Sequence, residues 1–88
     1  MTYYEYAETM QEQCFKISQA HKVLGEVGLY DFYTAASEGY EEARKKLSVK
    51  EAQEVVDEEL MQMLEATTAY VKEVQQQAAE KLDQEITA

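Results

Sequence analysis

Cys14 and His21 are the residues best suited by type to do chemistry, and their spacing decides against it. The sequence holds one cysteine and one histidine. On a helix they share a face, but seven residues separate them. That is two turns, about 10 Å, too far to bind one metal ion or to act as nucleophile and base. A di-metal site in a helical bundle takes Glu-x-x-His pairs, and the residue three before His21 is Ser18. His21 is therefore expected at or in the core, and Cys14 as a small apolar filler. No catalytic, metal-binding or cofactor-binding residue is assigned, and no enzyme activity is expected.

The carboxylates form a second set. Asp57, Glu58 and Glu59 run together, with Glu51, Glu54 and Glu65 nearby. They lack the D-x-D-x-D-G order of a calcium loop. Gly25-x-x-Gly28 is too short to cradle a phosphate. These acids read as a solvated helical face, suited to meeting a basic surface.

Seven tyrosines are the third set. So small a core cannot bury every hydroxyl with a partner, and tyrosine offers rigid amphipathic area at interfaces. Tyr4, Phe15, Tyr33 and Tyr70 are the aromatic candidates for binding a partner. Glu51, Glu54, Asp57, Glu58 and Glu65 are the acidic ones.

Three helices must position these residues. Residues 2–24 carry Tyr3, Met10, Ile17 and Leu24 at sevens, with Ala7, Cys14 and His21 beside them, a wide apolar stripe. Thr2 and Glu5 are placed for a capping box, and Gly25 for a left-handed stop. Asp31 is the expected N-cap of a second helix over about 32–46, packing through Phe32, Ala35, Ala36, Tyr40, Ala43 and Leu47. Gly39 sits inside it, either to admit another helix or at a simple cost to stability. The third element reads as one long helix over about 48–86, capped by Ser48 with Glu51. Its stripe repeats every eleven residues (Val49, Leu60, Val71, Leu82), which calls for no left-handed supercoil.

These elements make an all-α fold, a helical hairpin or three-helix bundle, in one domain spanning 1–88. The long C-terminal helix is the expected centre, covered by the other two. If the first two helices lie end to end along it, they cover its whole length as an extended hairpin; if they pack side by side against its first half, the segment from Tyr70 onward overhangs. In the second case Val71, Val74, Ala78 and Leu82 are candidates for self-association as a homodimer.

Phe32-Tyr33-Thr34-Ala35-Ala36 resembles the Phe-Tyr-Ser-Ala-Ala stretch of the small enterobacterial Hha/YmoA gene-regulation modulators. The match spans five residues of 88, and Ser37, Glu38 and Gly39 differ from the acidic and basic residues that come next in that family. Nothing of that family is carried over.

The formal net charge is −10, most of it on residues 48–88. Direct binding to nucleic acid or an anionic membrane through a basic patch is not expected. No apolar run reaches membrane-spanning length. A lone cysteine and the absence of a basic, then apolar N-terminus point to the cytoplasm. The composition leads to a non-enzymatic interaction module (an adaptor, chaperone or inhibitor) whose protein partner has a basic surface. The alternative is an acidic mimic of nucleic acid, of the phage anti-defence kind, that fills a basic channel.

Overall fold

The computed structural model describes residues 1–87. It is all-α: α1 (Tyr3–Val23), α2 (Val27–Lys46), the short α3 (Val49–Gln53) and the long α4 (Glu58–Thr87). The expected architecture, helices packed with a long C-terminal one, is what the chain adopts.

The start of α1 follows from its capping box. The Thr2 hydroxyl accepts from the Glu5 amide at 3.2 Å, and the Glu5 carboxylate accepts from the Thr2 amide at 3.0 Å. The Thr2 amide, and then the Thr2 hydroxyl, both donate to that carboxylate at 3.0 Å and hold the Glu5 carboxyl below the usual carboxylate range. At the other end Gly25 has φ +76°, the left-handed conformation that closes a Schellman motif. The Glu26 amide bonds the His21 carbonyl, and the Gly25 amide bonds the Lys22 carbonyl. Lys81 of α4 adds a bond from Nζ to the Val23 carbonyl at 2.8 Å, a cation at the negative end of the helix dipole.

α1, not the C-terminal helix, is the central element. α2 packs along one side of α1 and α4 along the other, while the backbones of α2 and α4 hardly approach each other. α2 runs antiparallel to α1: Ser37 bonds Gln11, and Arg44 bonds Tyr4. α4 runs parallel to α1: Val56 bonds Met1, Gln13 bonds Thr68, and Lys81 bonds Val23. The result is a flat, elongated arrangement of 54 × 21 × 16 Å.

The two sides of α1 differ in chemistry. Toward α2 lie Ala7, Gln11, Cys14 and Ser18, mostly small, which lets the helices pack closely. There the Ser37 hydroxyl donates to the Gln11 carbonyl at 2.9 Å. Toward α4 lies the core, in two parts. Ile17 and Ala20 meet Val71, Val74 and Ala78. Tyr6 and Met10 meet Val56 and Leu64. Burying an Ile or Val of this kind contributes about 1.5–3 kcal/mol.

Two expected boundaries are corrected. The long helix does not run from 48. Ser48 does cap a helix, accepting from the Glu51 amide at 3.1 Å, but α3 ends at Gln53. Residues 54–57 are extended and pair with the N-terminus: the Tyr3 amide bonds the Glu54 carbonyl, and the Val56 amide bonds the Met1 carbonyl. Asp57 then opens α4, its Oδ1 accepting from the Leu60 amide at 2.9 Å. The pairing satisfies a free amide of the first turn of α1, which a continuous helix would leave to water. The second correction concerns α2, which starts at Val27 and passes through Gly28, so Asp31 lies inside it rather than at its cap.

The overhang is also smaller than expected. α1 reaches Lys81, so only the last few residues of α4 extend past it. Val71, Val74 and Ala78 are buried in the protomer, Val74 with 1% exposure. They are core residues here, not a free seam. Of the four self-association candidates only Leu82 is exposed.

Candidate protein-binding face

Phe15 stands on the outer side of α1 with 55% of its surface exposed. The amphipathic pattern explains its position: Cys14, Ile17 and Ser18 turn inward, and residue 15 falls outside their arc. The Phe15 carbonyl accepts from the buried Ser18 hydroxyl at 2.7 Å.

Two grooves flank this ring. One, of about 360 Å³, lies between α1 and α2 and is edged by Glu12, Glu38 and Glu41. The other, of about 380 Å³, lies between α1 and α4, over Ala20, Val23, Ala78, Ala79 and Leu82. Phe15 borders both. It is thus an apolar anchor with an acidic channel on one side and an apolar channel on the other. Glu41 is partly neutralised by Lys45 at 3.0 Å; Glu12 and Glu38 are exposed. Tyr4 lies further along the outer side of α1. Arg44 covers its ring at 5.5 Å and donates from Nη1 to its hydroxyl at 3.1 Å.

The other candidate residues lie elsewhere. Tyr33 and Tyr70 close on His21, on the side where α2 and α4 converge over α1. Tyr33 stacks on the imidazole at 5.7 Å and 22°, and the Tyr70 hydroxyl lies 2.8 Å from His21 Nε2. Nδ1 lies 3.3 Å from Glu26 Oε1. This carboxylate–imidazole–phenol chain has the order of a proton relay, but its energetics run the other way. Burial pushes the Tyr70 phenol up from its ordinary value, with Tyr33 and Glu26 adding to it. A phenol activated as a nucleophile needs the reverse. Burial likewise pushes the Cys14 thiol up, away from the reactive thiolate. His21, 2% exposed, is a core residue with both ring nitrogens partnered.

The five acidic candidates are spread over α3, the extended stretch and α4. Glu51 lies on α3, Glu54 gives its carbonyl to Tyr3, Asp57 caps α4, and Glu58 and Glu65 are exposed on α4. The break at 54–57 divides them, so no single helix carries all five. The acids that do converge are Glu12, Glu38 and Glu41. They come from two helices, and only the antiparallel register of α1 and α2 brings them together. The spacing of Glu38 and Glu41 on one helical side is the local signal for half of that set.

Among the described residues no group of three or more His, Cys, Asp or Glu side chains is placed to hold a metal ion, and no helix is long and apolar enough to cross a membrane. No protein-family model, curated protein or solved structure matches this chain.

Proposed function

We propose that this chain is a non-enzymatic protein-interaction module, an adaptor or inhibitor, that docks a partner with a basic surface on the Phe15 face. The observation that carries the reading is Phe15 itself, exposed between an acidic groove and an apolar one. Interfaces concentrate their energy in a central aromatic anchor with a polar rim. Here the ring supplies the anchor, Val23 and Leu82 extend the apolar contact, and Glu12 and Glu38 form the rim. A net charge of −10 would speed encounter with a basic partner and disfavour acidic ones.

The test is capture of a stoichiometric partner from the native host with the wild-type chain, repeated with Phe15→Asp and with Glu12→Gln/Glu38→Gln. The partner is expected to be lost with the first and to bind more slowly with the second. Tyr70→Phe, remote from this face, is expected to retain it. Capture unaffected by Phe15→Asp refutes this placement, and repeated failure to recover any partner counts against the reading as a whole.

A further inference from the structure

The side of α4 turned to α1 is two rows wide, and α1 covers one of them. Val71, Val74 and Ala78 are buried against Ile17 and Ala20. Beside them run Gln75, Ala79, Leu82 and Ile86 at spacings of 4, 3 and 4, the alternation of a seam between helices. All four are exposed, Leu82 at 44% and Ile86 at 82%. On α1, Phe15, Gln19 and Val23 make the opposite wall, and the buried Ala20 and Ala78 lie between the two. This is the groove of about 380 Å³ that Phe15 borders. From Phe15 to Val23 it runs about 12 Å, two turns of helix. Alanines between the walls let another backbone approach closely. A helix with apolar residues at i, i+3, i+4 and i+7 spans the same two turns.

Charge narrows the occupant. Across the Phe15 ring, on the flank toward α2, Glu12 and Glu38 are exposed. Among the described residues Lys16 is the one charged side chain that lines the groove itself. A cation is therefore drawn to the α2 flank and repelled from inside the groove. A second copy would bring a further net charge of −10 to the same place, and an anionic membrane would meet the same repulsion.

We propose that the groove seats one amphipathic helix of the partner, its apolar face between α1 and α4 and its lysines or arginines on the flank turned to α2. This rests on the partner-binding reading of the Phe15 face and adds the form of the partner segment. The apolar face packs on Val23, Ala79 and Leu82. The basic flank passes over the Phe15 ring, where a cation is attracted to the aromatic face, and reaches Glu12 and Glu38.

Three peptides of about 18 residues, five turns of helix, test it. The first carries leucines at helical spacing on one face and lysines along one flank. The second has the same composition with the leucines dispersed. The third replaces the lysines by glutamine. Amide NMR shifts of the folded chain follow binding. The first peptide should bind saturably, with the largest shifts at Val23, Ala79 and Leu82, and the second at least about tenfold more weakly. Ala79→Glu, at an exposed helical position, should leave the circular dichroism unchanged and weaken the first peptide at least about tenfold. Glu12→Gln/Glu38→Gln should weaken it several-fold, flatten its salt dependence and leave the third peptide unaffected. No binding of the first peptide up to about 1 mM overturns the proposal. So does equal binding of the second, or indifference to Ala79→Glu. Indifference to the glutamine exchange overturns the assigned flank. A dimer of the chain alone that Ala79→Glu abolishes gives the groove to a second copy and overturns the proposal as well. Capture of the native partner separates this from the broader reading. Capture lost with Phe15→Asp but kept with Ala79→Glu refutes the helix and leaves the face, whereas capture kept with both refutes the face.

Discussion

His21 Nε2 and the Tyr70 hydroxyl lie 2.8 Å apart, joining the last turn of α1 to the middle of α4. Burial, with Tyr33 and Glu26, raises the Tyr70 phenol above its ordinary value. The two ring nitrogens thus face different partners, Nε2 the Tyr70 hydroxyl and Nδ1 the Glu26 carboxylate at 3.3 Å, with the direction of each bond set by the imidazole tautomer. Tyr33 of α2 stacks on the same ring. One histidine therefore ties together all three long helices at one end of the molecule. That is a structural role, and it accounts for a buried polar ring in a protein with a small core.

Tyr70→Phe should cost about 1–3 kcal/mol, because it leaves a buried ring nitrogen without its partner. The urea midpoint should fall with the slope unchanged. Binding through Phe15 should remain in the folded variant. An unaltered midpoint would show that the 2.8 Å bond adds nothing to stability.

Tyr6 gives a prediction of opposite sign. Its hydroxyl is buried without a hydrogen-bond partner among the described residues, and burial, reinforced by the neighbouring Tyr40, pushes its pKa from 10.0 to about 12. The unfolded chain loses this proton near pH 10 while the folded chain keeps it. The folded state then binds more protons, so stability falls as pH rises. The contribution is present in full below pH 10 and disappears between about 10 and 12. A two-unit shift corresponds to roughly 2–3 kcal/mol. Tyr6→Phe should remove that share of the alkaline loss. Near pH 7 it should be neutral or stabilising by up to about 1 kcal/mol, since no partner is left unpaired. Thermal melts at pH 7, 10 and 11.5 compare the two chains. A Tyr6→Phe variant that is clearly less stable at pH 7 would show that the hydroxyl does have a partner in solution.

Ile17 and Phe15 separate stability from binding. Ile17 has 0% exposure and Phe15 55%, two residues apart on one helix. Ile17→Ala should cost about 2–5 kcal/mol, while Phe15→Ala should stay within about 0.5 kcal/mol. Chemical denaturation of both measures this. A large loss for Phe15→Ala would make the ring part of the fold rather than a docking anchor.

Local signals in the sequence suffice for α1. The Thr2–Glu5 box, the apolar stripe and Gly25 all act within one helix, and the observed ends fall one residue inside the expected ones. Val71, Val74 and Ala78 do lie on the apolar side of the last helix, as their spacing implies, but their use depends on which helix covers them. Periodicity along one helix does not say that, so a core and a free seam look alike in the sequence. The same limit hides the groove of Glu12, Glu38 and Glu41, which exists only through the register of two helices. On α2 the expected packing face is used in part: Tyr40 packs on the core and Ala36 and Leu47 are half-buried, whereas Phe32, Ala35 and Ala43 are exposed. The Ser37 hydroxyl faces α1 and donates to the Gln11 carbonyl, while the exposed Phe32 ring packs edge-on against Tyr33.

The break before α4 is the point where a local signal is present but outweighed. Ser48 and Asp57 are both competent caps, and the uninterrupted stripe between them favours a single helix. Val55 and Val56 are β-branched and lose side-chain freedom in a helix. Asp57 can satisfy a free amide of a new first turn, and the extended stretch between the caps also takes up the orphan Tyr3 amide of α1. The pairing with the N-terminus thus adds what helix propensity alone does not count. Asp57→Ala should remove the cap and cost about 1 kcal/mol. Because the N-terminal pairing opposes continuation, circular dichroism should show no gain of helix. Asp57→Ala combined with removal of residues 1 and 2 takes away both constraints, and helix should then extend through 54–57 despite the lower overall stability. Amide hydrogen exchange at Val56 reads the difference directly. Its amide bonds the Met1 carbonyl in the intact chain, and in the shortened double variant its protection should come instead from the helical bond to Ala52. Loss of all protection at Val56 in that variant would show that the break is intrinsic to residues 54–57 and is not held by the N-terminus.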